Sequence, residues 1–102
     1  RDVAGYAAAA AEFNDWLPSF WAKMRPGDLL MVTADHGCDP SYTKTTDHTR
    51  EYVPFLLYGD EIRPGVNLHT RYSFATIADT VCKSLNVPYC PAGCGVYDEI
   101  RK

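Results

Sequence analysis

The pattern of apolar and polar stretches predicts helices towards both ends of the chain and two short strands between them. The first apolar region, residues 2–24, is rich in alanine, which favours a helix. Because Pro18 fits poorly inside a helix, we expect one helix to about Phe13 and a second from near Asp15, with Pro18 in its first turn. The predicted apolar face of this second helix consists of Leu17, Phe20, Trp21 and Met24.

Two apolar runs that do not alternate with polar residues, Leu29–Thr33 and Tyr52–Tyr58, predict strands covered on both faces. Such strands are typical of parallel sheets flanked by helices. Further along, Ser73 is placed to cap a helix whose apolar positions recur at helical spacing as far as Leu85. The pattern therefore predicts an α/β fold with a mainly parallel sheet flanked by helices. Two strands leave sheet edges uncovered, so we expect residues 1–102 to be one portion of a larger domain.

The composition is that of an ordinary globular protein, with 102 residues, 46% hydrophobic residues and a net charge of −3. The sequence has no basic patch and no apolar run near the ~20 residues that span a bilayer, so we expect neither nucleic acid nor membrane as a partner. We expect a cytoplasmic protein, and the lack of an initial Met or signal segment favours a chain cut from a longer one.

The four cysteines are irregularly spaced, without a CxxC pair, which favours reduced thiols over a disulfide framework. Cys90 and Cys94 leave open a metal-binding pair or a bridge.

The polar loop between the predicted strands, Ala34–Glu51, contains the candidate metal ligands. Asp35 and His36 are adjacent at the exit of the first strand, and His48 follows later in the loop. Carboxylate and imidazole together suit Mn²⁺, Fe²⁺ or Zn²⁺, and α/β sheets bind ligands beyond the carboxyl ends of their strands. We expect Gly37 to permit the bend that turns both side chains towards one point. A solvated loop, in which Asp35 caps a turn and His36 pairs with it, is the alternative.

Other polar residues of the loop could support such a site. Asp39 or Asp47 could accept the second ring proton of a histidine ligand. Arg50 is a candidate for binding a substrate phosphate through two hydrogen bonds. A salt bridge from Arg50 to Glu51 or Asp47 is an equally good interpretation.

The segments TADHGCDP and TDHTREYVP resemble those of the alkaline-phosphatase superfamily of metal-dependent phosphotransferases, and within it the phosphopentomutase family. The opening residues Arg1–Ala7 resemble the helix that follows a metal-binding Asp and His in that family. The resemblance implies that residues 1–102 are the C-terminal portion of the metalloenzyme core, without the cap domain and the N-terminal part. It implies an isomerase that moves phosphate between C1 and C5 of ribose or deoxyribose phosphate, with two Mn²⁺ ions and a phosphorylated threonine.

Matched position by position, the resemblance implies that Asp35 and His36 bind one Mn²⁺ and His48 the other. The remaining ligands and the phosphorylated threonine of the family have no match in this chain. The resemblance therefore assigns no catalytic residue here, and we expect the chain to be inactive without the missing N-terminal part. Two alternatives stay open: TADHG is also similar to cofactor-independent phosphoglycerate mutases, and a non-catalytic metal-binding or interaction module could carry the same loop.

Overall fold

The computed structural model describes residues 2–44, 49–88 and 95–102. In chain order these residues form α1 (Val3–Trp21), β1 (Leu30–Thr33), β2 (Phe55–Tyr58), α2 (Ala75–Ser84) and α3 (Tyr97–Ile100). The mixture of helices and strands agrees with the predicted α/β class. The chain divides into two compact units, Arg1–Gly59 and Asp60–Lys102, and we describe each by itself.

Helix α1 is a single helix of 19 residues. The Asp2 carboxylate caps its first turn by accepting a hydrogen bond from the backbone N–H of Gly5 at 2.9 Å. Pro18 lies inside the helix, one turn from its end, where it removes only one backbone hydrogen bond. The predicted break ahead of Pro18 is therefore wrong, because the alanine-rich turns before it propagate the helix.

Strands β1 and β2 pair antiparallel, with Leu30 opposite Tyr58 and Thr33 opposite Phe55. The predicted parallel arrangement is not confirmed by these two strands. A parallel return requires a crossover, usually a helix, whereas the described residues of this connection contain turns and a further antiparallel bridge between Gly37 and Thr49. The connection thus extends the hairpin beyond its strands.

The first unit has no core of its own within the part of the chain that the structure describes. None of its described residues is fully buried, and α1 contains no buried side chain. Strand β1 is half-buried along its apolar residues, and β2 alternates between half-buried and exposed positions. The prediction of a strand covered on both faces is therefore wrong for β2, because every second residue faces solvent.

The second unit has a small core formed by Ile62, Val96 and Ile100. Helix α2 begins close to the predicted position, and the Ser73 hydroxyl accepts a hydrogen bond from the backbone N–H of Ala75 at 3.0 Å. The short helix α3 occupies part of the segment after Asn86, to which the sequence pattern assigned no element. Arg63 connects the start of this unit to its end, since its backbone N–H donates to the carbonyl of Ile100.

Helix α2 buries its polar side and exposes much of its apolar side. Asp79 and Thr80 are 0% exposed. The Asp79 carboxylate accepts a hydrogen bond from the backbone N–H of Gly95 at 2.5 Å, and the Thr80 hydroxyl accepts one from that of Val96 at 3.1 Å. The polar face is buried because its oxygens bind the backbone of the segment that precedes α3. The large apolar residues exposed on α2 and at its two caps are Phe74, Val81 and Leu85.

Candidate metal site

The two adjacent candidate ligands lie just beyond the end of β1, as the sequence predicts. Asp35 Oδ1 and His36 Nε2 are 3.7 Å apart. The side chain of Asp35 is 91% exposed and that of His36 is 48% exposed, so both can reach an ion from solvent. This separation is compatible with both interpretations of the pair. In one the two side chains share a cation, and in the other they pair with each other.

The ring of His36 is oriented by its own backbone neighbour. Its Nδ1–H donates to the carbonyl oxygen of Gly37 at 3.1 Å, which directs Nε2 to the side of Asp35. A backbone carbonyl commonly plays this role for histidine ligands, because it fixes the tautomer in which Nε2 carries the lone pair. Asp39 is one of the two aspartates that could take this role, and its carboxylate accepts hydrogen bonds from the backbone N–H and the hydroxyl of Ser41, at 2.9 and 2.6 Å.

Gly37 is needed at this point for space. Its backbone is not in the left-handed region, so the expected reason for a glycine here is wrong. A Cβ added to Gly37 would lie 2.5 Å from the carbonyl oxygen of Glu51 and 2.6 Å from its Cβ. The two sides of the hairpin therefore approach more closely here than any other residue allows.

The base of the loop is closed by a hydrogen bond that no sequence pattern predicts. The backbone N–H of Asp39 donates to the hydroxyl of Thr49 at 2.6 Å. Thr49 also pairs with Gly37 across the hairpin, so it holds both ends of the segment that contains His48. A threonine ten residues after Asp39 carries no sequence pattern that predicts this contact.

Two candidate residues of the loop and the cysteine pair lie outside the described residues. His48 and Asp47 lie among residues 45–48, and Cys90 and Cys94 lie in the segment 89–94. In the part of the chain that the structure describes, no group of three or more His, Cys, Asp or Glu side chains could hold a metal ion. Arg50 is exposed, and the described residues include no ion pair between it and Glu51.

The Asp35–His36 pair fits a shared transition-metal ion in both chemistry and spacing. Metal–ligand bonds of ~2.1 Å place two neighbouring ligand atoms about 3 Å apart. The observed 3.7 Å separation reaches that value after small rotations of two exposed side chains. One carboxylate oxygen and one imidazole nitrogen also suit Mn²⁺, Fe²⁺ or Zn²⁺.

Comparison with known proteins agrees with this chemistry. The profile of the metalloenzyme superfamily matches residues 1–89. The chain is 55% identical over its full length to a phosphopentomutase of Symbiobacterium thermophilum, of which it covers 26%. It is 54% identical to a phosphopentomutase of Acetivibrio thermocellus over 85% of this chain and 22% of that protein. It is 42% identical over its full length to one of Clostridium kluyveri, again covering 26%.

The predicted resemblance to the phosphopentomutase family is confirmed by these matches. The chain spans about a quarter of the length of the curated relatives. No solved structure matches it. None of the described helices is long and apolar enough to cross a membrane.

Proposed function

Since the chain belongs to the metalloenzyme superfamily, we propose that it forms the C-terminal portion of the core of a phosphopentomutase, an isomerase. The reaction would move phosphate between C1 and C5 of ribose or deoxyribose phosphate. The observation that carries this proposal is the 55% identity to a phosphopentomutase along all 102 residues, including the loop with the candidate ligands. The phosphorylated threonine would come from the remainder of the longer protein.

In this proposal Asp35 and His36 hold one Mn²⁺ and His48 holds a second. The hydrogen bond from His36 Nδ1 to the Gly37 carbonyl supports the first assignment, because it leaves the imidazole in the tautomer that presents Nε2. When bound, two adjacent cations would neutralise the charge of a transferring phosphoryl group and stabilise the oxygens on either side of it. The exposed Arg50, next to the residue that closes the loop, is proposed as a contact for substrate phosphate.

The experiment that tests the proposal uses a hybrid protein. In it, this chain replaces the matching quarter of the Symbiobacterium thermophilum phosphopentomutase. With Mn²⁺ present, we expect the hybrid to convert ribose 1-phosphate into ribose 5-phosphate. We expect Asp35→Asn, His36→Ala and His48→Ala to reduce turnover to background.

His69→Ala is the matched control, since His69 is an exposed histidine outside the loop. Turnover that survives all three ligand substitutions would contradict the metal assignment. A folded hybrid that acts on 2-phosphoglycerate and not on ribose 1-phosphate would favour the phosphoglycerate mutase alternative. A folded hybrid that binds Mn²⁺ without converting either substrate would favour a non-catalytic module.

A further inference from the structure

We infer that one face of helix α1 is the surface on which the remainder of a phosphopentomutase-like chain packs. We call it the aromatic face, and it consists of Tyr6, Phe13, Trp16 and Phe20. All four side chains are exposed, Trp16 by 50%. The rings of Phe13 and Trp16 lie 5.7 Å apart and those of Trp16 and Phe20 lie 5.3 Å apart, so they form a continuous apolar surface.

The position of these residues shows that the rest of the first unit does not cover them. With 3.6 residues per turn, the four aromatic positions fall on one side of the helix, whereas Asp15 lies about 100° or more around the axis from each of them. Trp21 stacks on Tyr58 of β2, with ring centroids 4.8 Å apart. Trp21 is about 100° around the helix axis from Phe20, so this contact with the sheet leaves the aromatic face open.

The composition of α1 is that of a helix packed inside a larger protein. Only two of its 19 residues, Glu12 and Asp15, are charged. Helices that are apolar on most sides are normally buried. Yet no described residue of α1, or of the unit to which it belongs, is fully buried. The hydrophobic contacts that such a helix requires are therefore not made within the described residues of its own unit.

The occupant is argued from the length of the relatives. They match this chain along its whole sequence, but the chain covers only 26% of their length. The other three quarters of these relatives are the polypeptide available to cover the helix. This identification of the partner rests on the proposed function, but packing on the aromatic face does not require that the enzyme turns over.

The test compares the chain alone with the hybrid protein described above, by hydroxyl-radical oxidation and mass spectrometry. The readout is the oxidation of Trp16 relative to that of Tyr72, which is exposed and lies in the second unit. We expect this ratio to fall several-fold in the hybrid because Trp16 becomes covered. An unchanged or higher ratio would overturn the inference. So would an equally low ratio in the chain alone at a concentration where it dimerises, because the occupant would then be a second copy.

A second measurement applies whether or not the hybrid folds. This chain is tagged and co-expressed with the part of the Symbiobacterium thermophilum enzyme that it does not match. We expect the two polypeptides to purify together, and the double variant Phe13→Glu, Trp16→Glu to lose the partner. Asp15→Lys, a charge change on the opposite side of the same helix, should retain it. Failure to recover a pair with the unchanged chain, or equal recovery with the double variant, would contradict the inference.

These results are separable from those that test the proposed function. A hybrid that protects Trp16 but does not isomerise ribose 1-phosphate contradicts the mutase assignment alone. A hybrid that isomerises the substrate while Trp16 stays as reactive as in the chain alone contradicts the packing surface alone.

Discussion

The buried hydroxyl of Thr80 offers the most direct quantitative test of the second unit. It donates to the carbonyl of Thr76 at 2.7 Å and accepts from the backbone N–H of Val96 at 3.1 Å. Thr80→Val keeps the shape of the side chain and removes both interactions. The carbonyl of Thr76 keeps its α-helical partner, the backbone N–H four residues later. The N–H of Val96 is left without a partner, and Val96 is 0% exposed.

The free-energy cost of Thr80→Val comes from this one N–H group that is left without a hydrogen-bond acceptor. A buried N–H without a partner costs ~1–3 kcal/mol, and every ~1.4 kcal/mol is a tenfold change in an equilibrium constant. We therefore expect the protection of the Val96 amide against hydrogen exchange to fall by about 5- to 140-fold. The measurement is amide exchange by NMR, which reports on Val96 itself and does not require the whole chain to unfold in one step.

Two controls separate the hydroxyl from the methyl group and from threonine in general. Thr80→Ser keeps the acceptor and should retain most of the protection. Thr70→Val makes the same chemical change at an exposed position in the same unit and should have no effect at Val96. Unchanged exchange in Thr80→Val, or an equal loss in Thr80→Ser, would refute the assignment of stability to this hydrogen bond.

Three further predictions concern the loop. Gly37→Ala should destabilise the first unit by ~1–3 kcal/mol, because the new Cβ would lie 2.5 Å from the carbonyl oxygen of Glu51. The measurement is denaturant unfolding followed by tryptophan fluorescence. A change in the free energy of unfolding within the ~0.5 kcal/mol that is typical of surface substitutions would contradict the prediction. Calorimetry of the chain alone should show only weak Mn²⁺ binding, since each proposed ion receives an incomplete set of ligands; one tight site abolished by both His36→Ala and His48→Ala would disprove the division of ligands between two ions. The purified chain without the remainder of the protein should not isomerise ribose 1-phosphate in the presence of Mn²⁺, and measurable turnover would show that its site is complete.

The positions of the elements could be predicted from the sequence because they follow local patterns. The alanine-rich start, the apolar run before Asp35 and the helical spacing after Ser73 each correspond to an observed helix or strand. The pairing direction of the strands could not be predicted in this way. Strands buried on both faces are typical of parallel sheets, but direction is set by the connection, and the connection here bends back on itself at the Gly37–Thr49 bridge.

The packing of α2 shows a second limit of pattern analysis. Apolar residues at helical spacing mark the side that avoids water, and here that side is partly exposed at Val81 and Leu85. The buried side is polar because Asp79 and Thr80 bind backbone N–H groups from residues 95 and 96, which lie 16 positions further along the chain. No pattern within a few consecutive residues predicts a contact between positions so far apart in the sequence.

The candidate site also combines features that could be predicted from the sequence with features that could not. The adjacency of Asp35 and His36 is a property of the sequence, and the structure keeps them within 3.7 Å. The hydrogen bonds that orient and close the loop depend on the path of the backbone. The carbonyl of Gly37 and the hydroxyl of Thr49 became apparent only in the structure.

The hydrogen bond from the N–H of Asp39 to the hydroxyl of Thr49 has a consequence for the length of loop that can follow β1. It fastens the loop at its base, so the residues between these two positions can change in number without moving the end of β1. The entropic cost of lengthening a closed loop is small, about 0.6 kcal/mol for each doubling. Insertions soon after Asp39, ahead of the proposed ligand His48, should therefore be tolerated by the fold, because Asp35 and His36 keep their places at the end of β1.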